Sequence, residues 1–305
     1  MKMSKHLSKG FTLIELMITL LLSLMITYAI AQVLMTSNRT SVTSDGMSQS
    51  QETGRFVMSY LGSYLKESGL GSTTSISRST AAFISCTDFP NLIDDNACIE
   101  ENGGGETQDS IRDAGIHGDR IAVSRVVNTA KLFDCTGSTG YRPTGAPATT
   151  PLTPYQAEDR IINTFWVDFD ENTNLSSLMC QGFLLAENQA DVVGNSPAQA
   201  IANGVEAMHV LYGEATEQLP PNKFRNVRRY VAAATDPAAP RAFNVQDWSR
   251  VYAAKISIMT RSLTDIANNN SLRRYILADA APYVMTDTVS RQVFTTTFVI
   301  NNLPK

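Results

Sequence analysis

Glu15 is the one carboxylate in an otherwise uncharged apolar run, KGFTLIELMITLLLSLMITYAIAQVLM at residues 9–35. Between Lys9 and Arg39 it is the only charged side chain, and a run of this length suffices to span a bilayer as a helix of about 20 or more residues. A carboxylate in such a helix costs about 2.5–3.5 kcal/mol at the centre and less toward the edge, so its default reading is functional. The chemistry it offers is charge pairing, because opposite charges in low dielectric attract far more strongly than in water. The residues before it matter too. An ordinary secretory signal has an apolar region of about 7–15 residues followed by a small-residue cleavage site. Here the order is reversed. Cutting at Gly10–Phe11 would remove only the basic leader, with Lys2, Lys5 and Lys9, and would leave the spanning helix on the mature chain. The competing reading is a single-span anchor whose Glu15 is wetted at the membrane edge.

Other residue sets have the types that chemistry would need. Cys86, Cys98, Cys135 and Cys180 all lie beyond the apolar run, and their even number suits disulfides in an exported chain. Spacing alone permits three pairings; the sequential one, Cys86–Cys98 with Cys135–Cys180, is adopted, with chain-entropy contributions of about 3 and 4 kcal/mol. A zinc site is the rival, but the cysteines form no Cys-x-x-Cys pair and have no His cluster nearby. Catalysis finds little support. His6 lies in the leader, His117 and His209 sit beside no nucleophile motif, and no Gly-x-Ser-x-Gly, His-Glu-x-x-His or phosphate-loop sequence occurs. His209 reads as a partly buried strand residue. No catalytic residue, cofactor or metal is expected, and the chain reads as nonenzymatic.

Asp168, Asp170, Asn172 and Asn174 alternate oxygen ligands as the start of a calcium loop does, but the later positions fail, with Thr173 for glycine and Met179 for the closing glutamate. A polar turn is the plainer reading. Lys223, Arg225, Arg228 and Arg229, interleaved with Phe224 and Tyr230, form the densest basic cluster. Such a patch suits single-stranded DNA or a phosphate backbone; a solvated loop or a contact to an acidic neighbour is the favoured alternative.

The elements that must position these residues follow from charge and periodicity. With 25 Lys plus Arg against 29 Asp plus Glu, the formal net charge is −4, which argues against a dominant phosphate-binding surface. The basic leader puts the N-terminus on the cytoplasmic side, so the large C-terminal part is exported. A helix from residue 11 to 68 would extend about 85–90 Å at 1.5 Å per residue. Phe56, Tyr60 and Tyr64, with Val57, Leu61 and Leu65, make one broad apolar face for packing on the exported fold. Gly69 and Gly71 are suitable stops. Gly46, Gly54 and Gly62 each weaken a helix interior by up to about 1 kcal/mol, predicting a bend or local melting over 36–46, or two helices joined near 44–47. Strand-like runs occupy 120–127, 164–169, 178–185, 205–212, 252–259 and 293–300. In the last two, Tyr252, Ala254, Ile256 and Ile258 share one face, as do Phe294, Phe298 and Ile300, so both strands are expected to be half buried. Two long connections, 136–158 and 214–247, read as loops without regular structure. The expected fold class is α+β, with an antiparallel sheet packed against the helix. Its parts are a leader at 1–10, a membrane-spanning or fibre-core helix at 11–38, its exported half at 39–70, and an exported domain at 71–305.

The pattern Lys-Gly-Phe-Thr-Leu-Ile-Glu-Leu at 9–16 resembles the class III signal of type IV prepilins and of the related pseudopilins of type II secretion. The resemblance implies cleavage after Gly10 by a membrane prepilin peptidase and N-methylation of the new amino terminus at Phe11. It also implies that Glu15 pairs with the Phe11 amine of a neighbouring subunit during assembly. Within that class, ETGRFVMSYLGSYLKESGLG, NGVEAMHVLYGEA, DWSRVYAAKISIMTRS and RQVFTTTFVINN look like successive signatures of PilW minor pilins. The middle, residues 72–158, matches only loosely, and the ending departs from the family in having Asn301 and Asn302 where an Arg often precedes the last Asn. The resemblance implies a type IV pilin-like fold and a minor pilin of the type IV pilus that primes assembly and ends near the fibre tip. The implied partners are other minor pilins of the FimU, PilV, PilX and PilE types, the major pilin, a tip adhesin, the prepilin peptidase and the inner-membrane assembly platform. The nearest alternatives are a J-class minor pseudopilin of type II secretion and an adhesin or DNA-binding pilus module.

Overall fold

The computed structural model describes residues 11–71, 82–84, 118–170, 173, 175–185, 192–215, 226–233, 248–263, 272–280, 282–300 and 302. The chain divides into two units, Met1–Asp45 and Gly46–Lys305. One helix, α1 (Leu13–Glu67), is continuous across the division in sequence. In the first unit its apolar side chains are exposed, and the helix is long and apolar enough to cross a membrane. The melting expected over 36–46 and the linker near 44–47 are not found, since these residues are helical throughout. Thr36, Thr40 and Thr43 donate their hydroxyls to carbonyls one turn back, each at 2.9 Å, so the polar side chains here bond within the helix rather than against it.

In the second unit the remaining turns of α1 bury Gly46, Ser50, Gly54, Val57, Met58, Leu61, Gly62 and Leu65. The apolar face expected from the four-residue spacing is therefore there, although Phe56, at 49% exposure, lies outside it. Two glycines acquire a different meaning. A Cβ at Gly54 would lie under 3.0 Å from three ring atoms of Phe294, and one at Gly62 would meet the Phe298 ring. Eight helical residues rise about 12 Å and four strand residues about 13 Å. The two phenylalanines thus match the two glycines in pitch as well as in size. Gly69, at φ 74°, ends the helix in the left-handed region, as expected of a glycine stop.

The strands are β1 (Ile121–Val126), β2 (Gly140–Pro143), β3 (Thr153–Pro154), β4 (Arg160–Asp170), β5 (Leu175–Leu185), β6 (Val192–Asn195), β7 (Gln199–Asn203), β8 (Val205–Glu214), β9 (Arg229–Val231), β10 (Val251–Arg261), β11 (Arg273–Tyr275), β12 (Tyr283–Met285) and β13 (Arg291–Val299). Each expected strand run lies on one of the longer strands. Among the described residues, three antiparallel sheets form where one was expected: β1-β4-β5-β6-β2-β3 with β7 also on β5, then β13-β10-β8-β9, then the β11–β12 pair. A single core joins α1 to both larger sheets, through Leu61 and Leu65 with Ile121, Phe165, Leu178, Val210 and Ile256.

Two expectations need correcting. Neither long connection is a plain loop: β2 and β3 pair within 136–158, where β2 extends the first sheet through β6, and β9 within 214–247 pairs with β8. Strand β10 is not half buried either. Its far face carries Ala253, Ser257 and Met259, all buried, with Met259 covered by Leu277 and Tyr283 of the β11–β12 region. The other strand keeps its expected character, with Phe298 buried and Thr295, Thr297 and Val299 exposed on alternate positions.

Candidate functional site

Glu15 occupies the third helical position of α1, and Thr12 precedes the first. The Thr12 backbone N–H and hydroxyl both donate to Glu15 Oε2 at 3.0 Å, while the Glu15 N–H donates to Thr12 Oγ1 at 3.4 Å. This reciprocal arrangement is a capping box, and it satisfies helix-end donors that otherwise lack partners. The signal was present in sequence as Thr-x-x-Glu, and the reading of Glu15 as a lone functional charge passed over it. Glu15 is thus held by its own chain at the same place where a cation from outside would find it. Phe11 is 86% exposed. Gly10 and the rest of the leader lie outside the described residues.

The sheet-side end of α1 is fastened by a short loop. Cys135 and Cys180 form a disulfide with Cα atoms 6.2 Å apart, which uses both thiols and removes them from the zinc reading. Cys86 and Cys98 lie outside the described residues. Around the bridge, carbonyls of the loop are taken by side chains of the helix and of β1. The Tyr60 hydroxyl donates to the Cys135 carbonyl, the Tyr64 hydroxyl to that of Asp134 at 3.3 Å, and Arg125 donates to the carbonyls of Phe133 and Lys131. The fully buried Asp134 carboxylate accepts from the Thr136 N–H at 2.8 Å and from the Tyr155 hydroxyl at 3.0 Å. Gly182 leaves the space that Asp134 fills. Burial, with Asp134 beside it, pushes the Tyr155 phenol well above its ordinary range. At the end of α1, Asn302 Nδ2 donates to the Lys66 carbonyl at 2.7 Å and to that of Ser68 at 3.3 Å. The last asparagine of the ending therefore caps the first helix, and Asn301, which stands where the family often has Arg, lies outside the described residues.

The remaining candidate sets are dispersed or already engaged. Arg229 is committed to the buried Glu214, with Nε and Nη2 donating to Oε2 at 2.9 and 2.6 Å, so the basic cluster is not a set of four solvated cations. Arg228 is exposed, and Lys223 and Arg225 lie outside the described residues. Asp168 and Asp170 end β4 at its turn into β5, where they accept from Phe169 N–H and the Thr173 hydroxyl; Asn172 and Asn174 lie outside the described residues. His209 is buried on β8, with Nε2 2.6 Å from the Tyr283 hydroxyl and Nδ1 3.6 Å from Asp119, as a core strand residue rather than an accessible base. His117 lies outside the described residues.

Comparison with known families bears on both ends of this arrangement. Residues 5–27 match the Prokaryotic N-terminal methylation motif, and residues 164–302 match Type IV Pilus-assembly protein W, PilW. The first match includes Gly10, Phe11 and Glu15; the second runs from within β4 to the capping Asn302. Together the two matches are consistent with a type IV minor pilin of the PilW family. Searches of curated proteins and of solved structures found no match. The methylation-motif match and the exposed apolar N-terminal helix point to membrane anchoring, and the PilW match implies interaction with other pilus components. Its fold is the α+β pilin-like arrangement of one long helix and antiparallel sheets.

Proposed function

We propose that this PilW-type chain primes assembly of the type IV pilus and joins a tip or initiation complex, acting without catalysis. The prepilin peptidase cuts at Gly10–Phe11, and Phe11 is N-methylated. The N-terminus faces the cytoplasm and the Gly46–Lys305 unit the periplasm, until the inner-membrane assembly platform moves the subunit into the fibre. There the apolar side chains of α1, such as Leu20, Leu24 and Ile30, exchange lipid for neighbouring helices. Glu15 sets register by meeting the Phe11 amine of the next subunit. The partners are other minor pilins, the major pilin and a tip adhesin, and the output is twitching motility, adhesion or DNA uptake.

One observation carries this reading: Glu15 stands in the exposed, membrane-length part of α1, one turn beyond a prepilin-type cleavage junction. A carboxylate there is retained at a cost, and a neighbour's amine removes that cost. The test is a deletion strain complemented with wild type or with Glu15→Ala and scored for sheared surface pili and twitching. Glu15→Ala should be processed normally yet fail to restore piliation. Full piliation by this variant would count against the mechanism, and lost exoprotein export with normal pili would indicate a pseudopilin of type II secretion instead.

A further inference from the structure

The β11–β12 hairpin lies over the outer face of the second sheet. Its inner side chains, Tyr275, Tyr283 and Met285, pack with Leu277 against Ala207 and Met259. Its outer face is unusual for a solvated ribbon. Arg274 on β11 and its two flanking neighbours in the same alternation, Leu272 and Ile276, are exposed, and Arg274 pairs in register with Val284 on β12. Leu272, Ile276 and Val284 are 60%, 64% and 49% exposed, and Pro282 beside them is exposed as well. Large apolar side chains clustered at the surface around one charge mark an interaction site. A two-stranded ribbon is itself only marginally stable without cover. In the middle stands Arg274, which has no ion pair among the described residues.

We propose that this outward face, Leu272, Arg274, Ile276 and Val284, is a docking surface for a different pilus subunit that presents apolar side chains around a carboxylate. The inference rests on the reading above of the chain as a pilus subunit. Arginine within an apolar surround is the composition enriched at interface hot spots. The charge selects among occupants. A second copy docked about a twofold axis would bring one Arg274 against the other, and like charges placed face to face across an interface are disfavoured. A lipid surface is drawn by clusters of basic residues, and this face offers one. A chain of other sequence with Asp or Glu opposite Arg274 satisfies both the charge and the apolar rim.

The experiment uses the full chain in its own cells. A photoreactive benzoylphenylalanine replaces Thr286, an exposed position beside the patch, and cells are irradiated before pili are sheared. The expected result is one discrete adduct with another pilin-class subunit, reduced about tenfold or more by Arg274→Glu. Ile276→Ser should reduce it as well, with protease resistance of the chain unchanged in both variants. An adduct insensitive to Arg274→Glu, an adduct only with a second copy or with lipid, or no adduct while the chain enters pili would each overturn the surface and leave the pilus role standing. Absence of the wild-type chain from pili and from any complex with pilus components would overturn both.

Discussion

At the scale of single residues, Gly54 and Gly62 show how a local cost and a distant gain oppose each other. Replacing either by alanine should improve helix propensity by up to about 1 kcal/mol, yet the added methyl would press into the ring of Phe294 or Phe298. Overpacking of this kind costs about 1–3 kcal/mol, so both variants should be less stable in denaturant titrations. Gly62→Ala should suffer more, since the ring it meets is buried and Phe294 is only partly so. Pairing Gly54→Ala with Phe294→Ala should recover much of the loss. A second residue-scale prediction concerns Tyr155. Its phenol is held above the usual value by burial first and by Asp134 next, whereas the unfolded chain ionises near pH 10. The folded state then keeps a proton the unfolded state releases. The contribution is fully present below about pH 10 and declines above it, by up to about 1.4 kcal/mol per pH unit for one retained proton. Urea unfolding between pH 8 and 11 should show this slope, and Tyr155→Phe should flatten it. Unchanged slopes in the two proteins would remove the assignment.

At the scale of elements, the disulfide loop is where helix and first sheet are joined. The bridge spans 45 residues, and a loop of that length corresponds to about 4 kcal/mol of chain entropy. Replacing Cys135 and Cys180 together by serine should lower stability by about 2–5 kcal/mol, read as a lower denaturant midpoint of the full chain in detergent. If the midpoint did not move, the tyrosine and arginine contacts alone would suffice to hold the loop. Much of this level was legible in the residues. The runs that became β4, β5, β8, β10 and β13 carry strand periodicity or dense β-branched and aromatic side chains, and α1 carries its buried face at four-residue spacing. What was not legible has physical reasons. Strands of two to four residues, such as β2, β3, β11 and β12, are too short to display a period. The far face of β10 looked half polar because its cover comes from β12, an element with no signal of its own. Gly54 and Gly62 read as weaknesses because a glycine's helical cost is local, while its packing partners lie more than 200 residues further along. At the helix start the Thr12–Glu15 box was written in the sequence, but the oddity of a carboxylate among apolar residues drew the reading toward assembly and past the cap.

At the scale of the whole molecule, the proposed cut at Gly10–Phe11 and the last strand act on opposite ends of α1. Gly10→Val should block removal of the leader, so that immunoblots show a protein about ten residues longer that stays in the membrane fraction and out of sheared pili. Processing at wild-type level in this variant would place the cut elsewhere. The other end is governed by Asn302, which takes up the Lys66 carbonyl from 236 residues further along, while Phe294 and Phe298 fill the notches of α1 from at least as far. Contacts of such sequence separation form late, because loop closure must precede them. Until the ribosome has released the C-terminal strand, the glycine-lined groove stays open and the end of α1 uncapped. A chain cut before Phe294 would lose both notch fillings and the cap together, so the last dozen residues decide whether the sheet-side half of α1 has a finished surface.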